Sequence, residues 1–197
     1  MAEHTCPNCG AALPPLLAHA RMVNCDFCGS SIVLDGAVLR RAGEAGEMLD
    51  APELIALGRA VRLPGGVFTA TGHVRYDYGP GHWDEYHGDL SGEAVWISVD
   101  EGDVAVQRPV AGEVPAGAFR LGAVIGHGDE SWTCAEVDNA TAVAFRGQLP
   151  EPVTIGDVHL YANFQGPDGA ILSAERWEDG SALFVGEWID PFEVVEA

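Results

Sequence analysis

The sequence predicts a mainly β chain, with a small N-terminal cysteine-bearing unit followed by an antiparallel β sandwich or barrel-like domain. Three observations point there. Two Cys-x-x-Cys pairs stand within the first 28 residues. From residue 54 onward, short runs rich in Val, Ile, Phe, Tyr and Trp alternate with Gly, Pro and Asp-Gly turns, the pattern of strands joined by hairpins. Strand–helix alternation is missing, which argues against a parallel α/β fold.

The cysteines come first. Cys6-Pro7-Asn8-Cys9-Gly10 and Cys25-Asp26-Phe27-Cys28-Gly29 are spaced C-x2-C-x15-C-x2-C. Two residues between thiols let one tight turn present both sulfurs to one ion. Two such turns complete a tetrahedron, the usual arrangement for structural zinc. Gly after each second Cys can take positive φ and turn the chain away beneath the sulfurs. Residues 1–35 therefore read as a zinc ribbon holding one structural Zn²⁺ through Cys6, Cys9, Cys25 and Cys28. Iron in the same site and a pair of redox thiols are the alternatives. Leu13 to Val23 is expected to give a short strand pair, and Ser31 to Leu34 a strand leaving the second turn. Residues 36–53, with Gly36, Gly43, Gly46 and Pro52, read as a linker with at most one frayed helical turn.

The remainder, 54–197, is an acidic antiparallel β domain. Of 197 residues, 10 are basic, all of them Arg, and 30 are acidic, for a net charge of -20. Residues 63–197 hold 23 of the acids and only 5 of the Arg. Binding to nucleic acid rests on Lys and Arg displacing counterions from phosphates, so nucleic acid is a poor partner. An anionic membrane leaflet is disfavoured for the same reason. No apolar run approaches the ~18 residues of a membrane-spanning helix, so direct membrane insertion is not expected. The N-terminus lacks the basic and apolar regions of a signal peptide, and the expected compartment is the cytoplasm.

About ten strands are expected, including Val67–Tyr78, Trp83–Leu90, Ala94–Val99, Val104–Val106, Ala123–Ile125, Trp132–Ala135, Ala142–Phe145, Val158–Tyr161, Ile171–Ala174 and Ala182–Val185. Turns are expected at Asp168-Gly169 and Asp179-Gly180. Cys134 reads as a small buried hydrophobe, and His127 and His159 as strand or turn residues.

The densest polar cluster is His82-Trp83-Asp84-Glu85-Tyr86-His87. Side chains alternate along a strand, so His82, Asp84 and Tyr86 should share one face and Trp83, Glu85 and His87 the other. Glu85 and His87 could meet a second metal or act as an acid–base pair. The plainer reading packs Trp83 in the core and leaves the polar groups decorating a strand end. No P-loop, nucleophile elbow or dinucleotide-binding motif is present.

Several of these residues carry a resemblance. Leu57-Gly58, Gly72-His73-Val74-Arg75-Tyr76, Trp83-Asp84-Glu85-Tyr86, Trp96, Phe145 to Pro150, Gly156-Asp157, Tyr161 and Phe184-Val185-Gly186 resemble the bacterial family called domain of unknown function 4178. In that family a Cys-x-x-Cys ribbon often precedes the domain. The sequence departs at His87-Gly88-Asp89, where the family continues apolar toward a Leu; here Leu90 arrives late. The resemblance supplies no catalytic residues and implies a bacterial stress- or polyamine-linked setting.

The leading functional expectation is a zinc-binding, non-catalytic interaction or adaptor protein. Its acidic β domain would take a basic protein surface or a polyamine-like cation, steered by complementary charge. The alternative is an enzyme working through His82, Asp84, Glu85 and His87.

Overall fold

The computed structural model describes residues 4–36, 38–48, 53–113, 115, 117–178 and 180–197. Among them lie fourteen strands and two single-turn 3-10 helices, Pro167–Gly169 and Pro191–Glu193. The strands are β1 (Met22–Asn24), β2 (Ser30–Asp35), β3 (Val38–Glu44), β4 (Ala60–Leu63), β5 (Gly66–Asp77), β6 (His82–Leu90) and β7 (Glu93–Asp100). They continue as β8 (Asp103–Val110), β9 (Val124–His127), β10 (Glu130–Leu149), β11 (Val158–Gln165), β12 (Ala170–Trp177), β13 (Gly180–Ile189) and β14 (Val195–Glu196). None of the described residues form a helix long and apolar enough to cross a membrane.

Eight strands close on themselves. The antiparallel neighbours run β5-β6-β7-β8-β13-β12-β11-β10, and β10 pairs back onto β5. Of the two expected packings this is the barrel. Closure removes the unpaired edges that an open sheet leaves exposed. The strand that closes it is long. Residues 133–141 of β10 pair with β11, and residues 141–147 pair with β5. The register slips between Cys134 and Glu136 and again between Ala142 and Ala144. Such bulges bend a strand and sharpen its twist, which lets one strand serve two neighbours. Trp132–Ala135 and Ala142–Phe145, expected as separate strands, are two stretches of this one element.

The end of β10 carries the N-terminal unit. Met22 and Val23 pair with Leu149 and Gln148, so β1, β2 and β3 continue the sheet beyond the ring. Side chains on β1 then alternate between two cores. Val23 packs with Leu13, Ile32 and the buried Cys6 and Cys25, while Met22 joins Val74, Phe145 and Leu149 of the barrel. The linker reading of residues 36–53 needs correcting. Residues 38–44 form β3, and Ala45 then runs along β10, its carbonyl accepting from Phe145 N at 2.8 Å. Residues 37 and 49–52 of that stretch lie outside the described residues. So does Asp179 of the expected Asp-Gly turn. The strand pair expected over 13–23 is also absent. Only Met22–Asn24 is strand, and the preceding loop is clamped to β10 by Gln148, whose Oε1 accepts from Leu17 N and whose Nε2 donates to the Pro15 carbonyl.

Apolar side chains on the outer faces of the ring are covered by other segments. Ile55, β4 and Val194 cover Phe68, Tyr86, Ile97 and Val106. Residues 118–125 and Trp132 cover Phe164, Leu172 and Leu183.

Because Met22 is 1 % exposed and belongs to the barrel core, Met22→Ala is expected to destabilise the whole chain by roughly 2–5 kcal/mol. Denaturant unfolding followed by tryptophan fluorescence should stay a single transition. Two separate transitions would show that the N-terminal unit and the barrel do not share a core.

Candidate functional site: a four-cysteine cluster and an acidic barrel interior

The cysteine cluster is built from two copies of one turn. Gly10 N donates to the Cys6 carbonyl at 2.9 Å and Gly29 N to the Cys25 carbonyl at 2.8 Å. Both glycines sit at positive φ, 78° and 69°, the region where a Cβ is costly. The turns face each other. Cys6 Sγ lies 3.7 Å from Cys28 Sγ and Cys9 Sγ lies 3.8 Å from Cys25 Sγ, with all four sulfurs within 4.8 Å of one another. Those separations are far beyond a disulfide bond of about 2.05 Å, and all four thiols are free. Contacts with the Ser30 hydroxyl at 3.3 Å and with Asn8 Nδ2 at 3.6 Å hold Cys28 down to about 6, toward the thiolate that binds metal. The four cysteines could therefore hold a metal ion.

Residues 82–87 do not assemble as one site. Among the described residues, the cysteines are the only His, Cys, Asp or Glu group of three or more whose ligand atoms converge within 4.8 Å. His82 is exposed. Asp84 turns to the face away from Glu85, where it accepts from His73 Nε2 at 2.8 Å and from Arg75 Nε and Nη2 at 2.8 and 3.0 Å. Burial works against the charge of Asp84, but His73 and Arg75 outweigh it and hold the carboxyl below its usual value. His87 packs edge-on against Trp96 and against His19 of the N-terminal unit, each with ring centroids 5.0 Å apart. Burial, with a smaller contribution from His19, pushes His87 down to about 4.

Glu85 faces the barrel interior. A cavity of about 80 Å³ there touches seven of the eight ring strands, room for a few waters. Its walls follow the strand alternation: Trp83 and Glu85 on β6, Ser98 and Asp100 on β7, Gln107 on β8, Tyr161 and Asn163 on β11, Ser173 and Glu175 on β12. A chain of hydrogen bonds crosses the wall. Gln107 Nε2 donates to Ser173 Oγ at 2.6 Å, Ser173 Oγ to Asn163 Oδ1 at 2.7 Å, and Asn163 Nδ2 to Glu136 Oε2 at 2.9 Å. The Tyr161 hydroxyl donates to the other Glu136 oxygen at 2.9 Å. Gln107 and Ser173 are two strands apart, and Gly186 on β13 lies between them. A Cβ there would stand 2.8 Å from Gln107 Cγ, so only glycine lets the side chain pass over.

At the other end of the chain, Trp83 Nε1 donates to Glu85 Oε1 at 3.1 Å. Ser98 Oγ lies 3.1 Å from Gln107 Oε1 and 3.4 Å from Glu85 Oε1. A serine hydroxyl has one proton. If Ser98 gives it to Gln107, the contact with Glu85 is favourable when Glu85 itself carries a proton. The electrostatics agree. Burial, reinforced by Glu151, pushes Glu85 up to about 7. Burial, with Glu85 and Glu151, also raises Glu175 well above the carboxylate range.

Beyond Glu175 an open recess of about 390 Å³ is lined by Tyr76, Glu151, His159, Glu175 and Trp177. Among the described residues no arginine lines either space. The ion pairs found among the described residues, Arg75–Asp84, Arg108–Glu93, Arg40–Asp35, Arg41–Glu44 and Arg59–Glu196, all lie elsewhere.

A family model described as a domain of unknown function (DUF4178) matches residues 56–191, more than half of the chain. The chain belongs to this family. No curated protein and no solved structure matches it. The family match covers the whole barrel ring and leaves the four cysteines outside, so any role for the interior has to be argued from its side chains.

Sequence reasoning selected the four cysteines and Glu85 but passed over Gln107, Glu136, Glu175 and His159. Their signal was the alternation of polar residues along Tyr161-x-Asn163 and Ser173-x-Glu175. It reads equally well as a solvated outer face until the ring is known to close.

Glu85 and His87 give opposite pH dependences. Folding raises Glu85 from an ordinary 4.5 to about 7, so its contribution is fully present below pH 4.5 and lost as pH rises through about 7. His87 falls from 6.5 to about 4, so its contribution is present above pH 6.5 and lost as pH falls through about 4. The variant Glu85→Gln removes only the first effect. Its stability relative to the parent should increase between pH 5 and pH 8, by on the order of 1–3 kcal/mol. Equal differences at the two pH values in thermal melts would mean that Glu85 does not titrate in this window.

Proposed function

We propose that the protein is a zinc-loaded, non-catalytic binding module whose acidic β domain takes a cationic partner, either a basic protein surface or a polyamine-like cation. The observation that carries this reading is the barrel cavity, lined by the half-buried Glu85, Asp100 and Glu175 and rimmed by the exposed Asp103 and Glu136, with no arginine among the described lining residues. A positively charged guest would favour the ionised forms of Glu85 and Glu175, which burial and, to a lesser degree, the neighbouring carboxyls oppose. A tetrahedral four-thiolate ion is supported by the sulfur geometry. Metal–sulfur arms of about 2.3 Å give edges of about 3.8 Å; two of the six edges are 3.7 and 3.8 Å, and all lie within 4.8 Å. Zinc is the usual occupant of such a closed four-cysteine site. Four thiolates leave no open coordination position, so the ion holds structure.

The enzyme reading has one feature in its favour, a carboxyl at Glu85 suited to proton transfer near neutral pH. Against it, His82 is exposed, and Asp84 and His87 turn to other partners.

Elemental analysis of the purified protein should find one zinc per chain. Cys25→Ser, at a position 1 % exposed, should lose the ion and melt at lower temperature, since ligation supplies folding energy. An arginine-rich peptide should bind, and more weakly as salt rises. A chain free of transition metal would remove the zinc assignment, and salt-independent binding would remove the electrostatic one.

A further inference from the structure

We propose that the barrel interior is a binding site for a small alkylammonium ion, seated between Glu175 and His159 at the junction of the recess and the inner cavity. This inference rests on the cationic-partner reading above and gives it a place and a ligand class.

Glu175 lines both spaces, so its side chain stands at their common wall. Glu151 lines the recess and Glu85 the cavity. The recess volume falls within the ~300–1,000 Å³ range of small-molecule sites. Among the described residues no arginine lines either space, so the ionised form of Glu175 would need a cation from outside.

A second observation, independent of the acids, marks the same place. His159 lines the recess, is 9 % exposed, and its Nε2 is buried with no hydrogen-bond partner. Such an orphan atom costs about 1–3 kcal/mol, and buried polar atoms in native proteins are rarely left so. The ring is fixed by edge contacts with Tyr76 at 5.0 Å and Trp83 at 6.3 Å. Burial lowers its pKa and favours the neutral ring, which has one donor and one acceptor nitrogen. In the tautomer with the proton on Nδ1, Nε2 is an acceptor that lacks a donor.

The surroundings select the kind of donor. A bare metal ion needs three or more ligand atoms drawn to one point, and among the described residues no such convergence exists here. A neutral donor would do nothing to favour the ionised form of Glu175, which burial opposes. An alkylammonium has N–H donors spread over a tetrahedral head and an apolar tail. Its head would sit where His159 and Glu175 line the same recess, and its tail and charge suit the faces of Tyr76, which lines the recess, and Trp83, which lines the cavity, stacked on each other at 5.1 Å.

The test uses n-butylammonium titrated into the full-length, metal-loaded protein, read by calorimetry and by the ¹⁵N signals of the histidine rings. One equivalent should bind, and the His159 signal should move while that of the exposed His82 stays. Glu175→Gln should weaken binding at least about tenfold, His159→Phe should also weaken it, and Glu187→Gln on the outer face should not. If Glu175→Gln does not fold, the His159 shift in the parent protein decides. Absence of that shift, or affinity unchanged from the parent in the Glu175→Gln and His159→Phe variants, overturns the proposal. An arginine-rich peptide that binds in a salt-dependent way without moving His159 would leave the broader cationic-partner reading standing and remove this one.

Discussion

The barrel depends on the seam between β10 and β5. Seven of the eight ring contacts would also exist in an open, twisted sheet. Only the pairing of residues 141–147 with 72–77 turns that sheet into a tube. Twenty residues in one strand, bent at two bulges, make this possible, because the first half can stay with β11 while the second reaches β5. The same strand then meets β1 at Leu149 and Gln148. Ring closure and docking of the cysteine-bearing unit are thus carried by one continuous backbone, and Met22 and Ala45 pack beside Phe145 in the core. A metal held by the four thiols would stabilise the barrel through this contact as well as its own turn.

Closure also decides which face of each strand is interior. Towards the N-terminal unit the interior is apolar, with Val74, Trp96, Phe145 and Phe184. Around Glu85 and Glu175 it is polar, while the apolar faces of the same strands point outward and are covered by added segments. Burying carboxyls without cations is costly, and the chain meets that cost with a hydrogen-bonded wall and shifted protonation. The ten arginines give the protein forked, always-charged partners. Those with pairs among the described residues spend them on Asp84, Glu93, Asp35, Glu44 and Glu196, away from the interior.

Much of this was legible in the sequence because it is local. Cysteine spacing and the glycines after Cys9 and Cys28 dictate the two turns, and alternation with Asp-Gly punctuation dictates antiparallel strands. What was not legible is what depends on distant partners. The stretch from Val38 to Glu44 carries few apolar residues, and it becomes a strand because β2 offers it an edge. Trp132 and Phe145 sit in one strand because the polar residues between them pair with β11, and bulges at Ala135 and Val143 let the strand bend from one neighbour to the other. The faces of residues 82–87 followed from alternation, but whether Glu85 meets His87 or Ser98 depends on which strand lies beside it. Arg75 holding Asp84 required knowing that β5 pairs with β6 in that register.

The most direct measurement of the central claim is amide hydrogen exchange along the seam. If β10 seals the ring, the backbone amides of residues 72–77 and 141–147 that bridge β5 and β10 will be protected to the level of those between β10 and β11, opening only with global unfolding. Fast exchange at the seam, with protection retained between β10 and β11, would show an open sheet and contradict an enclosed acidic interior.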